Sequence, residues 1–143
     1  MTYQPPGQCS IALLKIDWAS TLASNDYFSF SIDVNNINNL SVSTTSISLP
    51  PGCYSVEASF GGDRTNGFVD DLFYQQELEG VLIGNIGAAD CSNSSNEYMN
   101  VDQAVSSFEI RETSTLKLKC TSCTSSAWTS SSDYSYLLIR QVK

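Results

Sequence analysis

The sequence predicts an all-β fold, a sandwich or barrel of about eight antiparallel strands. Three observations carry that expectation. Apolar residues recur at period two: in 54–60, Tyr54, Val56, Ala58 and Phe60 face one way and Ser55, Glu57 and Ser59 the other. Turn chemistry punctuates the chain at short intervals, as at Pro50-Pro51-Gly52 and at "NNINN", 35–39. No segment sustains a helical stripe, and the polar positions are filled by Ser, Thr and Asn, which favour strands and turns.

Taken in order, the apolar run "SIALLKIDW" (10–18) has the length of a strand or a short helix. Residues 27–34 alternate, with Phe28, Phe30, Ile32 and Val34 predicted on one face. The β pattern continues over 40–49 and is cornered by Pro50-Pro51-Gly52, which pre-sets the backbone and fixes the register of 54–60. "GGDRTNG" (61–67) reads as a loop. In 72–87 the glycines at 80, 84 and 87 would each cost a helix about 1 kcal/mol, so two strands or one bulged strand are predicted.

A second polar loop is expected over 88–98, then strands at "AVSSFEI" and "TLKLKC", where Leu116 and Leu118 alternate with Lys117 and Lys119. A Ser/Thr-rich hairpin (121–133) leads to the last strand, "YSYLLIRQV" (134–142). The middle of that strand, Tyr136 to Ile139, is apolar on both faces. Its second face needs a cover, and another subunit is one candidate.

The 143 residues suit one domain, 1–143, with 1–20 as a tether or first strand. Hydrophobic residues make up 41% and charged residues 15%, a globular composition with an uncharged polar surface. The net charge of −8 and only 7 Lys+Arg argue against nucleic acid, whose readers carry a basic stripe. No apolar stretch approaches the ~18–20 residues of a membrane span, so no membrane insertion is expected. The opening "MTYQPPGQCS" lacks the basic and apolar regions of a secretory signal, so export by that route is not expected.

The chain has no histidine, which removes Ser-His-Asp and Cys-His catalysis and His-containing zinc sites. Asp63, Asp70, Asp71, Glu77 and Glu79 fall within one stretch. Two carboxyls about 5–10 Å apart would serve a glycosidase, and Asp63, Asp70 and Asp71 would suit a hard cation such as Ca²⁺, but solvated loop charges account for them more simply. Glu77 and Glu79 would share a strand face and repel each other without a cation between them. Cys120-Thr-Ser-Cys123 is a Cys-x-x-Cys at a strand end, and with Cys9, Cys53 and Cys91 it leaves free thiols, a disulfide or a metal site open. No cofactor, metal or catalytic residue is assigned. Trp128, Tyr134 and Tyr136, set among serines, have the composition of a binding surface. A plug for the sandwich end or a subunit axis is the competing reading.

With these elements in place, "ISLPPGCYSVEASF" resembles the signature turn and strand of the tumour-necrosis-factor/C1q-like jelly-roll family, with Pro51 and Gly52 in the turn and Tyr54 opening the strand. "ELEGVLIGNIG", "SSFEIRETSTLKLKCT" and the closing "YSYLLIRQV" resemble its later pieces in the same order. The resemblance covers about 27–142 and implies an antiparallel jelly-roll sandwich of about 8–10 strands. It also implies a homotrimer with apolar and aromatic side chains of one sheet about the axis, for which Tyr136, Leu138, Phe28 and Phe30 are candidates.

The fold also serves in viral and phage spike and fibre heads, and a Ser/Thr/Asn-rich chain without a signal peptide looks more like those than like a cytokine. The expectation is thus a non-enzymatic virion attachment module, made in the host cytoplasm, joined to other virion proteins by its N-terminus. It would bind a host receptor or glycan through end loops 61–71, 88–98 and 121–133, with Asp63, Arg64, Asn66, Asn93, Asn96, Trp128 and Tyr134 as candidates. The alternative is a monomeric, lectin-like carbohydrate-binding sandwich, with an extracellular location as the other possibility.

Overall fold

Alternation decides which face each strand buries, and the strands it specifies assemble into two antiparallel sheets. The structure, a computed structural model, describes residues 10–17, 19–64, 71–90, 97–123, 126–130 and 135–142. In chain order the strands are β1 (Ser10–Asp17), β2 (Ala19–Leu22), β3 (Ser29–Asn35), β4 (Ser41–Ser43), β5 (Ser46–Leu49), β6 (Gly52–Ser59) and β7 (Gly62–Arg64). They continue as β8 (Asp71–Leu78), β9 (Val81–Asp90), β10 (Glu97–Asp102), β11 (Ala104–Ile110), β12 (Ser114–Ser122), β13 (Ser126–Ser130) and β14 (Tyr136–Val142). One sheet has the order β11-β6-β14-β1-β3 and the other β2-β13-β7-β10-β9-β8-β12-β5-β4. The run 10–18, open between helix and strand in the sequence, is strand throughout its described part.

The core lies between the sheets. Ala12, Leu14, Val56, Ala58, Leu137 and Ile139 reach it from the first sheet, and Ile47, Leu49, Leu72, Tyr74, Leu116 and Leu118 from the second. Phe28, Phe60 and Tyr74 form its aromatic centre, with ring centroids 4.9 to 6.4 Å apart. Phe28 and Phe30 are therefore core residues, buried within a single chain. This corrects the expectation that they line a subunit seam.

The Pro50-Pro51-Gly52 corner carries the chain from β5 in one sheet to β6 in the other, so it is a crossover between layers rather than a hairpin. Tyr54 reaches back and donates its hydroxyl to the Pro50 carbonyl at 2.5 Å, while Gln141 Nε2 donates to Tyr54 Oη at 3.3 Å. Tyr54→Phe should leave that carbonyl without its partner and cost about 1–2 kcal/mol. A denaturant titration reads the loss as a lower midpoint at unchanged slope.

Segment 72–87 resolves into β8 and β9, joined by a two-residue hairpin in which Glu79 and Gly80 have φ of 49° and 80°. Positive φ at both central residues is the twist that suits a tight hairpin. The turn also removes the expected clash of Glu77 with Glu79, because Glu79 leaves the strand and accepts a hydrogen bond from Thr115 N at 2.6 Å.

Four expectations are revised. In β3, a register shift opposite Leu13/Leu14 breaks the alternation of 27–34, and Ile32 and Val34 stand exposed on an edge strand. The predicted loop 61–67 contains β7, and the loop 88–98 is trimmed by β9 at Asp90 and β10 at Glu97. The predicted hairpin 121–133 does not fold back on itself: β13 pairs with β2 and β7. Long-range pairing supplied order that Gly- and Ser-rich local sequence did not announce.

Candidate functional site

Several strands of the five-stranded sheet carry apolar residues on both faces. Val105, Glu57, Leu138, Leu13 and Val34 lie in register across all five strands. Alternation aims them away from the core, since their strand neighbours Ala104, Val56, Leu137 and Leu14 are the buried ones. Leu13 and Leu138 are half-buried and Val34 and Val105 exposed. The final strand thus divides its apolar residues between two faces: Leu137 and Ile139 fill the core, and Tyr136 and Leu138 look outward.

Beside this band lies a shallow groove of about 310 Å³, lined by Leu13, Lys15, Asp33, Glu57, Ser135, Tyr136 and Leu138 among others. Tyr136 is fixed in it from two sides, donating to Glu57 Oε2 at 3.1 Å and accepting from Gln103 Nε2 at 2.8 Å. Burial first, and then the Glu57 carboxylate, push its phenol above the ordinary value, so it is a neutral donor at physiological pH. The face offers apolar area at its centre and charges of both signs at its margin. That is the layout of an interface core with a polar rim.

Of the other sequence candidates, Asp63, Arg64 and Trp128 lie on neighbouring strands towards one end of the larger sheet. Asp63 and Arg64 lie on β7, which pairs with β10 through Glu97↔Asp63 and with β13 through Trp128↔Arg64 and Thr129↔Asp63. Three segments far apart in sequence therefore meet here as paired strands. Asn66, Asn93, Asn96 and Tyr134 lie outside the described residues.

Sequence reasoning missed two polar arrangements. Glu77, nearly buried on the outer face of the larger sheet, accepts Tyr27 Oη through both oxygens at 3.0 Å and has Lys119 Nζ 3.9 Å away. Lys117 Nζ sits 4.7 Å from the Tyr27 ring centroid, a cation–π contact. The hydrogen bond to Glu77 is the main cause holding the Tyr27 phenol above its ordinary value. A carboxylate this fully engaged is scaffold rather than acid or base. The strict Leu/Lys alternation of 115–120 was the available signal for the lysine pair. The second is Gln76, which spans the core from β8 and donates to the carbonyls of Val56 at 3.1 Å and Ala104 at 2.9 Å.

Cys53 is exposed, Cys120 buried and Cys123 partly buried, all as free thiols, and burial pushes the Cys120 thiol far above its ordinary value. A thiol so shifted is a poor nucleophile. Among the described residues no three His, Cys, Asp or Glu side chains gather as a metal site, and no helix is long and apolar enough to cross a membrane. Cys9, Cys91 and Asp70 lie outside the described residues.

No family model and no curated protein matches the sequence. Solved structures do match the fold. Crystal structures of murine APRIL at pH 5.0 and pH 8.5 each align with a TM-score of 0.66 over 94% of this chain and 100% of theirs, at 10% and 9% identity. The globular domain of zebrafish complement 1qA protein aligns with a TM-score of 0.56 over 94% of both chains, at 7% identity. The chain has a tumour-necrosis-factor/C1q-like jelly-roll fold.

Proposed function

We propose that this jelly roll is a non-enzymatic binding module that works as a homotrimer, joined through the outer face of its five-stranded sheet. The observation that carries the reading is the register row Val105–Glu57–Leu138–Leu13–Val34. The same strands fill the core with their other face, so the outward apolar residues serve no purpose within one chain. The fold shared with the tumour-necrosis-factor and C1q-like structures supports three copies about an axis. Burying Glu57 in such a seam is tolerable because Tyr136 already donates to it and Lys15 lines the same groove.

The finer reading is the head of a viral or phage spike, fibre or capsid-surface protein, tethered by its N-terminal residues. It rests on a surface rich in Ser, Thr and Asn with only 15% charged residues. The end where β7, β10 and β13 meet would then face a host receptor or glycan.

Mass in solution tests the assembly. Three chains of 15.6 kDa should elute as a species of about 47 kDa by light scattering. Leu138→Arg places a cation beside Glu57, which the fold accommodates, while a buried seam does not. The variant should run as a folded 15.6 kDa monomer. A wild-type monomer would reject the trimer and favour the lectin-like reading.

A further inference from the structure

The outer face of the nine-stranded sheet carries a second groove, of about 560 Å³, lined by Phe73, Ile86, Ala88, Asp102, Thr121 and Ser122. Four of these form one row across four consecutive strands: Asp102 pairs with Ala88, Ala88 with Phe73, and Phe73 with Ser122. Each of the three pairings has a register shift beside it, between Asn100 and Asp102, Tyr74 and Gln76, and Cys120 and Ser122. Thr121 is the extra residue of the last shift, and Ile86 falls within the second. Bulges redirect side chains and gather next to binding sites. Three of them on adjacent strands, opening onto one groove, are not needed to build a sheet.

The groove has a definite chemistry. Its floor is apolar and uncovered, with Phe73 37% and Ile86 54% exposed. Asp102 closes one end, and the hydroxyls of Thr121 and Ser122 the other. Three interstrand steps separate the ends, roughly 14 Å. From inside the core, Tyr74 donates its hydroxyl to the Asp102 carbonyl at 3.0 Å and so holds that end in place.

We propose that this groove binds a short neutral saccharide. A sugar ring presents a C–H face to stack on Phe73 and a rim of hydroxyls to donate to the Asp102 carboxylate, while Thr121 and Ser122 can both donate and accept. Among the described residues no Lys or Arg lines the groove, and the chain carries a net charge of −8, so sulfated, sialylated or phosphorylated ligands are disfavoured. An extended peptide would add along a strand edge, whereas this row runs across four mutually paired strands. A wholly apolar ligand would strip water from Asp102 without replacing its hydrogen bonds. The site deepens the reading of the chain as a binding module, yet it lies on the opposite sheet from the proposed seam. Mass measurements report on the seam alone, and saccharide titrations on the groove alone.

The test is an NMR titration of the ¹⁵N-labelled full chain with neutral di- and trisaccharides of glucose, galactose, mannose, fucose and N-acetylhexosamines, beside sialylated and sulfated ones. Saturable shifts at the amides of Phe73, Ala88, Asp102 and Ser122 are expected with at least one neutral sugar. Phe73→Ala should weaken that binding about tenfold, as loss of a stacked ring does, and Asp102→Asn should weaken it several-fold. Circular dichroism should be unchanged, because both side chains are exposed. Absence of saturable shifts, shifts confined to other surfaces, preference for the anionic sugars, or unaltered affinity in Asp102→Asn would each overturn the assignment. The wild-type shift map and Asp102→Asn decide the matter even if Phe73→Ala folds poorly.

Discussion

Gly87→Ala is expected to destabilise the protein by about 3 kcal/mol or more, at the upper end of what overpacking costs. A Cβ at this position would stand 2.4 Å from Tyr74 Cε2, 2.6 Å from Cζ and 2.9 Å from the backbone nitrogen of Ala104. None of these atoms has room to retreat. The Tyr74 ring is packed against Phe28 and Phe60, its hydroxyl donates to Asp102 O at 3.0 Å, and the same hydroxyl oxygen accepts from Phe60 N at 3.2 Å. A ring held at its edge and its tip cannot step aside without breaking one of those bonds. Thermal unfolding should show Tm lower by roughly 10 °C. Tyr74→Leu in the same chain should recover part of the loss relative to the sum of the single changes. Strict additivity would mean that the glycine is required for some reason other than the ring.

Gln76→Leu is the second large effect, about 3 kcal/mol, although it keeps the volume and adds apolar surface. Gln76 is 1% exposed and makes three hydrogen bonds inside the core. Its amide nitrogen donates to Val56 O at 3.1 Å and Ala104 O at 2.9 Å, and its oxygen accepts from Ser106 Oγ at 2.5 Å. Leucine would remove three hydrogen bonds from a dry interior, each worth about 0.5–1.5 kcal/mol net, and leave the Ser106 hydroxyl without that acceptor, while the two carbonyls keep their places in the β6–β11 pairing. The gain from burying a methyl-rich side chain does not offset that. Adding Ser106→Ala removes one orphan and should return about 1 kcal/mol. A Gln76→Leu chain as stable as wild type by denaturant titration would show that water reaches these carbonyls.

Much of the scaffold was legible because it is local. The alternation of 54–60 and of 115–120 named the buried residues of β6 and β12 correctly: Tyr54, Val56, Ala58, Phe60, Leu116 and Leu118 are all core. The glycines of 72–87 announced two strands or one bulged strand; two strands are present, with a register shift between Tyr74 and Gln76. The last strand was read as apolar on two faces, and its residues do divide between core and surface. Strands β7 and β13 were not legible. They exist because β10 and β2 lie alongside them, and nothing in "GGDR" or "SSAWTS" encodes that neighbour. The same limit explains Phe28 and Phe30. Their alternation fixed a face, but not whether that face meets the core or a second copy.

The candidate sites divide in the same way. An apolar final strand could be recognised from Tyr136 and Leu138, but the row that joins Leu138 to Leu13, Val34 and Val105 depends on register between strands up to 125 positions apart in the chain, Leu13 against Leu138. The groove at Phe73 had one trace in the sequence, the glycines flanking Ile86, which mark irregular backbone without saying what it opens onto.

By itself the sequence determined that this chain is an antiparallel β protein, where its proline corner falls, and that catalysis by histidine is closed to it. Those properties follow from side-chain period, backbone restriction and residue inventory, all of which are readable along one dimension. Tertiary structure alone decided that the proline corner crosses between layers, that Glu77 is engaged by Tyr27 and Lys119, and that Phe73 and Asp102 share a groove. Pairing register and bulge position set those, and both arise only when distant strands meet.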